Sequence, residues 1–220
     1  QQASPESQMV AFFTGQAAPG TSTQHIFSLD ETGYIGVRPI PYTDNSNVTL
    51  TLIDPNGNRY NMQNASFYQE NVNAGVWKIE IQGVSNNGDY SVQIETGSQL
   101  GLIPVPTAPN GSNNIVRGAL ATIGMQIKDN NNLLSHLTVK ADIGFPDGQT
   151  QTLTLNDAGQ DGDIVANDGI YSIGFQTNQN TPTGAYLVNY SIAGNRADGR
   201  AFQRVTNAGF TVLVGQGLTD

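Results

Sequence analysis

The chain has no cysteine, a single tryptophan, nine lysine and arginine residues in 220, and no long apolar run. Without cysteine there are no disulfides, thiolate nucleophiles or thiolate metal sites, which leaves oxygen ligands and two histidines for any metal. Gly or a polar residue interrupts every apolar stretch well before the roughly 18 residues of a membrane-spanning helix, so membrane insertion is excluded as a role. Nine basic against eighteen acidic residues, a net charge of −9, supply no basic stripe to neutralise phosphates and argue against nucleic acid as a partner. Charge of either sign is scarce: 12% of residues are charged against about 25% in an average globular chain. Polarity comes instead from Asn, Gln, Ser, Thr and Gly. That composition suits a bacterial exported protein, placed outside the cell or on its surface. The opening Gln1-Gln2-Ala3-Ser4-Pro5 has neither a basic nor an apolar leader region, and the expectation is a processed piece of a larger protein whose other domains are its first partners.

Helical periodicity is also missing, and period-2 alternation dominates, so the expectation is an all-β chain. Candidate strands are Met9–Thr14, His25–Ser28, Tyr34–Pro39, Val48–Ile53, Phe67–Val72, Gly75–Ile81 and Gly88–Glu95 in the first half. In the second they are Gly118–Lys128, Leu137–Gly144, Gln149–Leu155, Gly169–Phe175, Ala185–Ala193 and Ala201–Val214. Asp54-Pro55-Asn56-Gly57 reads as a turn leading into a polar strand from Arg59, and Ser85-Asn86-Asn87-Gly88 as a hairpin turn between its flanking strands. Pro104, Pro106 and Pro109 lie within six residues, which cannot be a central strand and suits an extended connector. The organisation expected is a sandwich over 1–98, a Pro-rich linker over 99–112 and a second sandwich over 113–220, with turn signals at sandwich intervals.

In the first half, Val48-Thr49-Leu50-Thr51-Leu52-Ile53-Asp54-Pro55-Asn56-Gly57, then Ala74-Gly75-Val76-Trp77-Lys78-Ile79-Glu80-Ile81 and Gly88-Asp89-Tyr90-Ser91-Val92, resemble the bacterial pre-peptidase C-terminal jelly-roll sandwich. The same order resembles the sandwich that follows the von Willebrand factor A domain in secreted and surface proteins. Over Leu155–Ser172, "D-A-G-Q-D-G-D-I-V-A-N-D-G-I-Y" resembles a segment joining two strands of immunoglobulin-like modules in bacterial exported proteins and in the calcium-activated chloride channel regulator family. Ala158 departs from that pattern, where an acidic or amide residue is common. The resemblances imply two tandem β-sandwiches, jelly-roll-like and then immunoglobulin-like, with a von Willebrand factor A or peptidase domain upstream in the parent chain.

Asp157, Asp161, Asp163 and Asp168 fall within twelve residues, a density of hard oxygen donors suited to Ca²⁺. The spacing mimics a calcium-binding EF-hand loop, with these residues at positions 1, 5, 7 and 12 and Gly162 at position 6. Gly159 at position 3 offers no oxygen, however, position 12 is Asp rather than Glu, and no helices flank the loop. The other reading is a structural corner: aspartates capping turns while Gly159, Gly162 and Gly169 take positive φ and Tyr171 packs inward. The two readings are compatible.

His25 and His136 sit in no catalytic motif, and the chain has no nucleophile elbow, zinc pair, phosphate loop or dinucleotide fingerprint. The expectation is a non-enzyme serving as spacer or interaction module. The alternatives are a carbohydrate-binding module, with Trp77, Tyr60, Phe67 or Tyr68 forming an exposed platform, and an adhesin segment with a protein ligand. Trp77 on its alternating strand reads first as the large anchor of a sandwich core, with Tyr90 on the neighbouring strand, although its neighbours do not settle which face it takes. Four N-x-[ST] sequons, at Asn47, Asn64, Asn110 and Asn189, are expected by chance in so Asn- and Thr-rich a chain.

Overall fold

A computed structural model describes residues 6–40, 47–62 and 65–215, and among these the chain forms strands and turns with no helix. It divides into two compact units, one of Gln1–Gln99 with Arg200–Val205, the other of Leu100–Gly199 with Thr206–Asp220.

The first unit contains β1 (Glu6–Ala17), β2 (Ser22–Leu29), β3 (Gly33–Pro39), β4 (Val48–Ile53), β5 (Arg59–Asn61), β6 (Phe67–Val72), β7 (Gly75–Gly83) and β8 (Gly88–Ser98). Its two sheets have the orders β1-β8-β3-β6 and β2-β7-β4-β5, antiparallel throughout. Apart from the β4–β5 hairpin, strands sequential in the chain cross between the two sheets, as in a jelly roll of two Greek keys. Alternation on β4 and β7 sends Leu50, Leu52, Trp77, Ile79 and Ile81 inward, where they pack with Phe27, Ile35, Val92 and Ile94. Asp54 closes the β4–β5 turn by accepting the N–H groups of Asn56 and Asn58 at 2.9 and 2.8 Å. The expected β7–β8 hairpin is not formed. Each of those strands is a central strand of a different sheet, so Ser85–Gly88 carries the chain across the sandwich.

The second unit contains β9 (Leu100–Pro104), β10 (Asn114–Val116), β11 (Leu120–Asp129), β12 (Asn132–Leu133), β13 (Thr138–Gly144), β14 (Thr150–Leu155), β15 (Ile170–Gln176), β16 (Gly184–Asn195) and most of β17 (Ala201–Leu213). One sheet runs β10-β17-β16-β13-β14, with β10 parallel to β17; the other centres on β11, paired with β9, β12 and β15. The segment expected as a linker thus begins as a strand. Leu100–Pro104 pairs with Met125–Asp129, and Pro104, whose nitrogen cannot donate, stands at the end of that edge strand, where proline is tolerated. Phe175, Tyr186 and Phe210 form the aromatic core with half-buried Phe145, Tyr186 stacking on Phe210 at 4.8 Å between centroids.

Candidate functional site

The acidic loop joins β14 to β15, and its local chemistry fixes its path. Asn156 starts it: its Oδ1 accepts the Ala158 N–H at 3.1 Å, while its Nδ2 donates to the Gln160 and Ser172 carbonyls at 3.2 Å each. Asp157 then spans the loop. Its Oδ1 accepts the Asp168 N–H at 3.0 Å and its Oδ2 the Gly169 N–H at 3.3 Å. Asp163, buried, accepts the Gly159 N–H at 2.7 Å on Oδ2 and the Ser172 hydroxyl at 3.3 Å on Oδ1. Asp168 accepts the Ile170 N–H at 2.9 Å. Gly162 is required twice over: its φ is 105°, and a Cβ there would lie 2.3 Å from the Gly174 nitrogen.

Three of the four expected aspartates converge. Asp157, Asp163 and Asp168 each bring a carboxylate oxygen within 4.8 Å of the others. Asp161 stands outside that group: it is exposed with φ 54°, and its carbonyl accepts the Gly174 N–H at 2.7 Å. Burial raises the Asp157 pKa, its two backbone bonds oppose the rise, and the neighbouring Asp163 and Asp168 charges add to it. Such a loop is a built corner carrying excess negative charge, and its donors are of the hard oxygen type that Ca²⁺ takes.

The corner is tied to the rest of its sandwich through Tyr171. The Tyr171 hydroxyl accepts the Leu137 N–H at 2.9 Å and donates to the Leu134 carbonyl at 3.1 Å, bracing the β12–β13 loop. Next to that loop, Arg196 makes a bidentate contact with Asp129, Nη2–Oδ1 2.5 Å and Nε–Oδ2 3.1 Å, both side chains buried. The Arg196 bonds hold the Asp129 pKa below its ordinary value against the opposing effect of burial.

The aromatic residues expected as a platform are mostly spent on the core. Trp77 is 1% exposed and its indole N–H donates to the Asn73 carbonyl at 3.1 Å. Tyr60 and Phe67 pack partly buried against the same core. Tyr68 alone of the four is open, at 60% exposure, and its ring meets Tyr34 at 5.3 Å between centroids and 32° between planes. The sequence reading missed Tyr34, although the outward phase of its strand, opposite Ile35 and Val37, would have found it. It also missed Arg204, which is fully buried in the first unit with Asp30. Of the histidines, His25 lies half-buried against Phe13 and Tyr90, while His136 is exposed within the β12–β13 loop.

The crystal structure of a Bacillus licheniformis lipase, BlEst2 in its propeptide form, superposes with a TM-score of 0.53 at 14% identity, over 96% of this chain and 44% of that one. A DUF4785 family protein from Legionella pneumophila gives 0.51 at 10% identity, over 96% of this chain and 66% of that one. The chain thus spans less than two thirds of either, and the likeness is one of fold. Residues 113–212, just under half of the chain, match the family model of the second Ig-like domain of conditioned medium factor, which supports an Ig-like β-sandwich for the unit that carries the acidic corner.

Proposed function

We propose that the chain is a non-catalytic pair of β-sandwich modules from a larger exported or cell-surface protein, acting as spacer or interaction region, with Ca²⁺ held at the acidic corner. The observation that carries this reading is the Ig-like match over residues 113–212 together with sandwiches whose cores are built from the buried apolar residues of their strands. The likeness of the first half to pre-peptidase and post-von Willebrand factor A sandwiches supports further domains in the same parent chain. Asp157, Asp163 and Asp168 supply three carboxylates to the cation, and backbone carbonyls of the Gly-rich turns complete the six to eight oxygens that Ca²⁺ takes. At an affinity of about 10⁻⁴–10⁻³ M, a few millimolar calcium contributes about 1–2 kcal/mol, enough to stiffen a loop.

The test is calcium titration calorimetry on the EDTA-treated chain, paired with turnover assays on ester, glycoside and peptide substrates. Heat that saturates in the millimolar range and no turnover is the expected result. Absence of binding heat removes the calcium part, and turnover by the intact chain overturns the non-catalytic reading.

The Tyr34–Tyr68 pair favours a second reading, a glycan ligand on the outer face of β3 and β6. Glu70 accepts the Tyr68 hydroxyl at 3.3 Å, and Glu95 is paired with Arg38 at 2.9 Å, which sets hydrogen-bonding groups around an aromatic surface. A glycan array probed with the intact chain and with Tyr68→Ala separates this reading from protein binding. Retention lost in the variant supports it, and retention unchanged rejects it.

A further inference from the structure

The first sandwich is built from residues 6–99 and from one short segment, Arg200–Val205, that arrives a hundred residues later. Three of those late residues make its contacts. The side-chain amide of Gln203 accepts the Ser28 N–H on Oε1 at 3.2 Å and donates from Nε2 to the Val10 carbonyl at 3.4 Å. Val10 is the bulge residue at the register shift between Met9 and Ala11 on β1, and Ser28 lies on β2. β1 and β2 are edge strands of the two opposed sheets, so one glutamine bridges backbone groups on the edges of both.

Arg204 goes deeper. Its Nη1 lies 2.8 Å from Asp30 Oδ1, with both side chains 0% exposed. Nε donates to Gln8 Oε1 and Nη2 to Ser98 Oγ at 2.9 Å each, and Nη1 also donates to the Gln203 carbonyl at 2.8 Å. Asp30 follows β2, Gln8 is on β1 and Ser98 ends β8, so three separate stretches of the sandwich converge on one guanidinium. Arg200 adds a bond from Nη1 to the Asp30 carbonyl.

We infer that Arg200–Val205 is a strap that completes the first sandwich, and that this sandwich holds its stability only while β17 is folded. A buried carboxylate deprived of its cation is strongly unfavourable. When the second unit unfolds, β17 leaves its sheet and takes Arg204 with it, leaving Asp30 buried without that partner. The two sandwiches are then one cooperative system through a continuous strand, which distinguishes them from independent beads on a linker.

Trp77, the sole tryptophan, is buried in the first unit and reports its unfolding in the intact chain. Val139→Ala, a fully buried position on β13 of the second unit, is expected to lower the thermal midpoint of Trp77 emission together with that of far-ultraviolet circular dichroism. Arg204→Met is expected to lower the Trp77 midpoint by about 10 °C or more, and adding Asp30→Leu to recover a substantial part. A Trp77 midpoint unmoved by Val139→Ala overturns the coupling, and one unmoved by Arg204→Met overturns the strap. Should Arg204→Met fail to fold, the Val139→Ala comparison still decides the coupling.

Discussion

The His25 ring lies flat on Phe13, 4.4 Å between centroids and 12° between planes, with its Nε2 hydrogen-bonded to the Tyr90 hydroxyl at 2.9 Å. Gly15 makes room for this cluster, since a Cβ there would sit 2.5 Å from the Tyr90 oxygen. Burial lowers the His25 pKa below its ordinary value. The unfolded chain therefore takes up a proton first as pH falls, near pH 6.5, so the stability associated with the neutral ring is present above that value and is lost below it, down to the folded pKa. His25→Phe keeps the stack and removes the titration. Its Trp77 melting midpoint is expected to be flatter than the wild type's between about pH 5 and 7, and equal slopes would refute the assignment.

Asp157 has the opposite sense. A carboxyl whose pKa is raised by folding loses stability as pH rises from about 3.9 through its folded value, because the folded loop must accept a charge it disfavours. Asp157→Asn removes that charge at the expense of the weaker bond, the one from Gly169. In EDTA at neutral pH the variant is expected within about 1 kcal/mol of wild type, and calcium is expected to shift the wild-type midpoint alone. A calcium response retained in Asp157→Asn would move the site elsewhere. In the sequence, His25 and His136 carried no mark that separates them, because the difference is the partner across the sandwich. The density of aspartates was plain in the spacing, whereas which of them converge depends on the fold: Asp161 sits on a backbone turn at φ 54° that spacing does not encode.

At the scale of elements, strands with clean alternation were readable because alternation and burial have one cause: β4, β7 and β13 each turn every second side chain into a core. Which strands pair was not readable. Ser85–Gly88 carries hairpin-turn residues yet links two sheets, since turn chemistry reports local φ and ψ, while pairing is fixed by the whole sandwich. β9 was hidden by its proline and by shortness. Arg204 did leave a trace: it shares the phase of the buried Phe202, Phe210 and Val212 on β17, and a cation in a buried phase signals an ion pair inside. Tyr171 shows how an element end is fixed by a single side chain. Tyr171→Phe keeps the ring in place and leaves the Leu137 N–H and Leu134 carbonyl without that hydroxyl, so a loss of about 1–3 kcal/mol is expected in denaturant unfolding. A change below about 0.5 kcal/mol would mean that water replaces the hydroxyl.

For the whole molecule, the size of the calcium effect measures how much of the chain melts together. Trp77 lies in the first unit and the acidic corner in the second, so the probe and the site are in different sandwiches. If the second sandwich unfolds alone, about 1 kcal/mol of cation binding raises its midpoint by about 4–8 °C and leaves Trp77 emission unmoved. If Arg204 makes the two a single cooperative unit, the same free energy is spread over twice the unfolding entropy. The midpoint then rises by about 2–4 °C per kcal/mol, and Trp77 emission and circular dichroism move together. The expected result is the smaller, shared shift in wild type, and with Arg204→Met a separation of the two probes in which calcium no longer reaches Trp77. A large shift seen by circular dichroism with Trp77 unmoved in wild type would instead describe two independent sandwiches, with calcium stabilising the Ig-like one alone.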